Sequence, residues 1–247
     1  MKNINKIRDY LEHAIDAITM AVFLLLFLVG LYALIDVQRI EASAKIDDEI
    51  AELAPKADDS EIDFTALREV NPEIIAWIRI DNTEINYPIV QAQDNSKYLV
   101  RDFRGNYATA GAIFLDYRND KFNDDYSIIY GHRMATESMF GGIVRFAERD
   151  YFDAHPHGTL YTEDAIYDVE ISDYAVINVN STTIYNHGRN KNGKNFEMVS
   201  EIKTSAKQSR EIDIGSAEKI LVLSTCDKDS KYYRDILLTK LTRKEAE

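Results

Sequence analysis

Residues Lys219–Arg234 read KILVLSTCDKDSKYYR, and the rest of the chain is best understood outward from them. Ile220–Leu223 is a short apolar run of strand type. It leads into Ser224-Thr225-Cys226, and Cys226 is the only cysteine in the protein. Asp227–Lys231 is polar and turn-like, and Tyr232–Leu238 begins a second strand. The thiol is therefore expected where a strand gives way to a loop, a place that presents a side chain on a rigid support. Arg234 returns near it at the head of the next strand. A thiol, a permanently charged guanidinium and a histidine would make a nucleophilic site. A free cysteine can equally be a small buried hydrophobe. Compartment separates the two readings.

The N-terminal end supplies the compartment. Residues 1–13 are polar, with Lys2, Lys6 and Arg8 against Asp9 and Glu12, and Ile18–Ile35 follows with no charge in eighteen residues. As a helix that run spans ~27 Å, close to the hydrocarbon thickness of a bilayer. Ala42-Ser43-Ala44 resembles a signal-peptide cleavage site. The apolar run, however, exceeds the ~7–15 residues of a signal core, and Asp36, Arg39 and Glu41 separate it from the alanines. We read an uncleaved anchor over 14–35, with residues 1–13 in the cytoplasm and the remainder outside, because the flanking Lys and Arg lie on the N-terminal side. Residues 36–61 read as a juxtamembrane helix and hinge, and 62–247 as an extracellular catalytic domain. Three basic and three acidic residues precede position 36, so the outward part carries the whole net charge of −13. That charge argues against binding nucleic acid. One cysteine permits no internal disulfide, and a lone exported thiol points to reactivity or intermolecular pairing.

Beyond the hinge, Phe64–Val70 and Pro72–Trp77 read as one or two short helices, with Asn71-Pro72 as a helix start. Strand-type runs rich in Ile, Val, Tyr and Thr follow at 77–80, 85–90, 112–115, 127–130, 158–161, 165–179, 220–224 and 235–241, separated by turns such as Asp81-Asn82. About eight short strands with few long helices predict a mainly β, closed eight-stranded barrel. Two helical interruptions are expected, Met139–Glu148 and a longer insert over 186–210. In the insert, Phe196, Val199, Ile202 and Lys203 would share a face.

Five histidines compete as partner of the thiol. His13 is on the cytoplasmic flank. His155 and His157 flank Pro156 in a turn, where no nearby carboxylate or thiol completes a metal set. His187 lies in a Gly-containing loop. His132 directly follows the strand SIIYG, the same strand-end placement as Cys226. Neighbouring strands would bring the two side chains to one rim. For Arg234 taken alone, a surface ion pair with Asp227 or Asp229 is the plainer reading.

LSTC at Leu223–Cys226, Arg234 eight positions later, and YGH at Tyr130–His132 before a helix together resemble the sortases, membrane-anchored cysteine transpeptidases of Gram-positive bacteria. The order of anchor, strand-end His, Cys-bearing strand and Arg is similar over residues 60–242. Helices before the barrel and a helical insert before the Cys-bearing strand resemble class B, and no Asp-Pro-aromatic lid motif of the class C kind precedes the barrel. The resemblance implies that Cys226 attacks the threonine carbonyl of an NPxTN- or PxTG-like C-terminal sorting signal on a surface protein. It implies that His132 moves the protons, that Arg234 stabilises the oxyanion or holds the peptide, and that a peptidoglycan amine accepts the acyl group. Thr225, Ser224 and Tyr130 are the candidates for substrate binding or oxyanion support. Asp227 is given no catalytic role, since a negative charge beside the thiol opposes thiolate formation. Neither cofactor nor metal is expected. A membrane-tethered cysteine protease and a non-enzymatic exported binding barrel are the alternatives.

Overall fold

The computed structural model describes residues 2–46, 48–55, 62–185, 195–214, 219–225 and 232–245, the side chains of 2–5, 48, 49, 195 and 196 excepted. The chain divides into two compact units, Met1–Ala42 and Ser43–Glu247. The first is essentially one helix, α1 (Lys2–Ser43). It is long and apolar enough to cross a membrane, with a mean hydropathy of 2.7 over its most apolar window.

The second unit begins with α2 (Asp48–Leu53) and α3 (Phe64–Val70). Asp63 starts α3 by accepting the Ala66 N–H at 3.0 Å, one of the donors that a helix start leaves without an internal partner. Ala44 and Ile50 are fully buried, so the stretch expected to be juxtamembrane helix and hinge contributes apolar side chains to this unit. Asn71-Pro72 does not open a second helix. Asn71 ends α3, its N–H bonding the Leu67 carbonyl, and β1 (Ile74–Ile80) starts three residues later. Ile74 and Ile75 are β-branched and stiff at χ1, which favours the pleated conformation.

The remaining strands are β2 (Asn86–Val90), β3 (Ile113–Leu115), β4 (Tyr126–Gly131), β5 (His157–Thr162), β6 (Ile166–Asn178), β7 (Ala206–Ser209), β8 (Lys219–Thr225) and β9 (Tyr233–Arg243). They pair in the order β5-β1-β2-β3-β4-β8-β9-β6, and β6 pairs again with β5, closing an eight-stranded barrel with β7 appended to β6. Closure leaves no exposed sheet edges within the ring. The pairs β2–β3 and β4–β8 are parallel and the others antiparallel. A parallel pair needs a long crossover. Residues 91–112 supply the first and residues 132–218 the second, and because β3 and β4 run antiparallel the two crossovers return to opposite ends of the barrel.

Period-two alternation separates the inside from the outside. Ile129, Leu221, Leu223 and Leu237 join the interior cluster, while Ile128, Val222, Ile236 and Leu238 face out and are covered from the insert. α5 (Thr182–Tyr185) directly precedes the expected insert, and α6 (Asn195–Ser205) lies within it. Met198 and Ile202, one turn apart, form the buried face of α6, whereas Lys203 is exposed. Lys203 therefore does not share the packing face expected for it, because an ammonium cannot be buried without a partner. The Phe196 side chain lies outside the description. Ala206–Ser209 turns into β7 instead of continuing the helix. The helix expected over 139–148 is a 3-10 segment, Gly141–Ala147, followed by α4 (Arg149–Ala154).

Candidate active site

The site lies where β4 and β8 end and β9 begins, on the outer face of the barrel. Tyr130 pairs with Ser224 and Gly131 with Thr225 across the parallel β4–β8 seam. In the sequence His132 comes directly after the last residue of β4 and Cys226 directly after the last residue of β8. Cys226, with its neighbours 227–231, lies outside the described residues, and so do Asp227, Asp229 and His187. On the far side of β8, Ser224 pairs with Ile236 on β9, two residues from Arg234. His132, Tyr130, Ser224, Thr225 and Arg234 line one cavity of about 240 Å³, together with Asn95, Leu99 and Tyr185.

Close packing fixes the histidine. A Cβ on Gly131 would collide with Ile113 Cδ1 and meet Phe140 Cδ2 at 2.8 Å, so only glycine lets β4 approach this closely before His132. The His132 Nε2 lies 2.7 Å from the Leu99 carbonyl oxygen. A carbonyl can only accept, so Nε2 carries the hydrogen. Leu99 ends the 3-10 turn Lys97–Leu99 in the first crossover. That turn is anchored from the connection between α3 and β1: the Asn71 amide donates to the Tyr98 hydroxyl at 2.8 Å, Tyr98 donates to Glu73 at 2.5 Å, and Lys97 donates to Glu73 at 2.6 Å. Burial raises the Glu73 carboxyl, but the bonds from Lys97 and Tyr98 outweigh it and hold the carboxyl below its ordinary value.

Arg234 is half-buried on β9 opposite Ile177, and its Nη1 donates to the Tyr233 carbonyl at 3.1 Å. Thr225 is buried, and its hydroxyl has no hydrogen-bond partner among the described residues. Ser224 is buried as well, its hydroxyl 3.4 Å from that of Tyr185, at the far limit of a hydrogen bond.

Under the cavity lies a charged network that sequence reasoning missed. Asp116 is fully buried just beyond β3. Its two oxygens accept from Arg118 Nε at 2.8 Å and Nη2 at 2.7 Å, from Asn95 at 2.9 Å and from the Tyr130 hydroxyl at 3.0 Å. Arg118 also reaches the Tyr185 carbonyl at 2.7 Å, linking the network to α5. Burial alone would raise the Asp116 carboxyl, but the bonds from Arg118 and Asn95 hold it down to about 2. Burial, reinforced by that carboxylate, pushes the Tyr130 phenol far up, so Tyr130 stays a neutral donor. The available sequence signal was a pair of opposite charges, Asp116 and Arg118, immediately after an apolar strand.

His155 and His157 are not among the residues lining this cavity. The His155 ring stacks on Tyr151 with centroids 3.9 Å apart, and its Nδ1 lies 2.7 Å from the Tyr151 carbonyl.

A closed mixed barrel with its only cysteine next in sequence after one strand, and a cavity-lining histidine next in sequence after the adjacent strand, defines a thiol acyl-transfer protein. Known proteins agree. The Sortase domain family model matches residues 78–242. The sortase B of Listeria monocytogenes is 33% identical over 168 residues, covering 67% of this chain and 68% of that protein. Among solved structures, Clostridium perfringens sortase B superposes with a TM-score of 0.66 at 30% identity, covering 72% of this chain and 98% of that one. A Streptococcus pyogenes class B sortase involved in pilus biogenesis gives 0.66 at 30% identity, covering 73% and 98%. The chain belongs to the sortase family, and its relatives place it in class B. It is a sortase-type cysteine transpeptidase, a family that acts on surface proteins and cell-wall amines.

Proposed function

We propose that this chain cleaves an NPxTN- or PxTG-like C-terminal sorting signal after its threonine and transfers the protein to a peptidoglycan amine, through a thioester on Cys226. The reading rests on the pairing of Gly131 with Thr225 across two parallel strands, because His132 follows the one and Cys226 the other in the sequence. The cavity that the peptide would enter is lined by His132, Ser224, Thr225 and Arg234 at those strand ends.

The Cys226 thiolate attacks the threonine carbonyl carbon, and a C–S bond forms as the carbonyl oxygen becomes an oxyanion. Arg234, a fixed planar cation, stabilises that oxyanion or holds the adjacent peptide carbonyl. The C–N bond then breaks, and imidazolium His132 gives its proton to the leaving amine. With Nε2–H committed to Leu99, Nδ1 is the nitrogen that loses and regains this proton. The incoming amine attacks the thioester, His132 accepts its proton, and Cys226 leaves as thiolate. Tyr130, Ser224 and Thr225 support the substrate backbone.

In this reading residues 14–35 anchor the enzyme, residues 1–13 remain in the cytoplasm, and the barrel faces the wall, since Lys2, Lys6 and Arg8 all precede the apolar run. The test is product analysis of quenched NPxTN and PxTG peptides incubated with the full chain in detergent. Cleavage after threonine that disappears in Cys226→Ala supports the reading. Cleavage at another bond, or cleavage that survives Cys226→Ala, contradicts it.

A further inference from the structure

Behind the cavity, on the inner face of the barrel wall, sits an ion pair that the chemistry above leaves unused. Arg133 follows His132 and Asp235 follows Arg234, so alternation sends this second pair to the opposite side of the sheet. Arg133 Nη1 lies 3.3 Å from Asp235 Oδ2, with the side chains 17% and 4% exposed. The Tyr174 hydroxyl, from β6, donates to the other Asp235 oxygen. β4 and β9 are not neighbours, because β8 runs between them. The ion pair therefore reaches across the strand that ends in Thr225 and ties together the two strand ends that carry His132 and Arg234.

We infer that Arg133 and Asp235 are positioning residues, a cross-strand clamp that sets the spacing of His132 and Arg234 on either side of the Cys226-bearing strand. The inference rests on the roles proposed above for His132 and Arg234. Each clamp residue is one peptide unit from the group it positions, so a shift of its Cα is passed almost rigidly to that neighbour. A displacement of about 1 Å in a reacting group can cost on the order of 10²-fold in rate. Neither clamp residue lines the cavity, so loss of the clamp should alter the chemical step more than peptide binding. Because Asp235 is buried and Arg133 partly so, leaving one charge alone is worse than removing both.

The test is a double-mutant cycle on the full chain in detergent, reading kcat, KM and melting temperature with a quenched Asn-Pro-Ala-Thr-Asn peptide. Asp235→Asn keeps an acceptor for Tyr174 and removes the charge, while Arg133→Met keeps most of the stem. Each should lower kcat by about tenfold or more with KM within about twofold. The double variant should lose no more than the worse single, and Arg133→Lys should recover part of the loss. The clamp is overturned if kcat is unchanged in Asp235→Asn, if the two losses multiply in the double variant, or if the effect falls on KM. Should Asp235→Asn fail to fold, the double variant, free of buried charge, carries the comparison with Arg133→Met. His132→Ala and Arg234→Ala are measured alongside. If these two stay active, the site reading fails; if they are dead while Asp235→Asn is normal, the clamp alone fails.

Discussion

The His132 Nε2 stands 2.7 Å from the Leu99 carbonyl, so the first crossover of the barrel sets the tautomer of the site histidine. Gly111, at the far end of that crossover, has φ +64° and packs on the same ring: a Cβ there would meet His132 Cδ2 and Leu99 O at 3.0 Å and Tyr98 O at 2.6 Å. A methyl would push both the ring and its carbonyl partner.

Gly111→Ala should therefore lose about 1–2 kcal/mol from backbone strain alone and also lower kcat by about tenfold or more, through displacement of His132. Gly105→Ala is the control. Its φ of +89° is equally unfavourable, but no atom lies within 4 Å of the added carbon. It should melt earlier and turn over normally. Equal kcat in the two variants would detach Gly111 from the site.

His132→Ala should abolish turnover, while His155→Ala and His157→Ala keep most of it. His155 stacks on Tyr151, so its removal should appear in the melting temperature and not in kcat. A dead His157→Ala beside a live His132→Ala would reverse the assignment.

Much of this is legible in the chain. The eight barrel strands announce themselves as β-branched and aromatic runs, and His132 and Cys226 stand out because each ends one of them. What cannot be read is anything produced by convergence. The β4–β8 seam joins residues almost a hundred positions apart, so the pairing of Gly131 with Thr225 has no local signature. Asp116 and Arg118 look like a solvated turn until Asn95, Tyr130 and Tyr185 close around them. Pro72–Trp77 reads as helix because Asn-Pro is a common helix start. Tertiary pairing of Ala76–Ile80 with β2 and β5 overrides that local preference.

The Asp116 network predicts a pH dependence. An unfolded aspartate titrates near 3.9, and Asp116 is held to about 2 in the fold. Its contribution is therefore fully present above pH ~4 and is lost as pH falls toward 2, at about 1.4 kcal/mol for each tenfold difference in proton affinity between the folded and unfolded chain. Asp116→Asn should be less stable than wild type by about 2 kcal/mol at pH 7, and the gap should narrow between pH 5 and pH 2. Denaturant midpoints across that range provide the check. A gap independent of pH would show that shape, not charge, is what Asp116 supplies.

Arg234→Lys should fail nearly as badly as Arg234→Ala, since a point charge does not reproduce a planar fork. Loss of one oxyanion donor typically costs on the order of 10²–10³ in kcat. Single-turnover acylation of Cys226 is the direct readout. Near-normal acylation in Arg234→Lys would reduce the role of that position to net charge.

The most direct test of transpeptidation is the fate of the acyl-enzyme. Water and amine compete for the Cys226 thioester, and a transferase must favour the amine held beside neutral His132. The full chain in detergent is incubated with the intact sorting peptide that it cleaves, with and without diglycine or a diaminopimelate-type amine, and products are weighed by mass spectrometry. The account predicts a thioester adduct on Cys226, diverted by the amine into a ligated peptide and absent in Cys226→Ala. Hydrolysis product unchanged by every amine, with no ligated species, would contradict transfer to a wall amine.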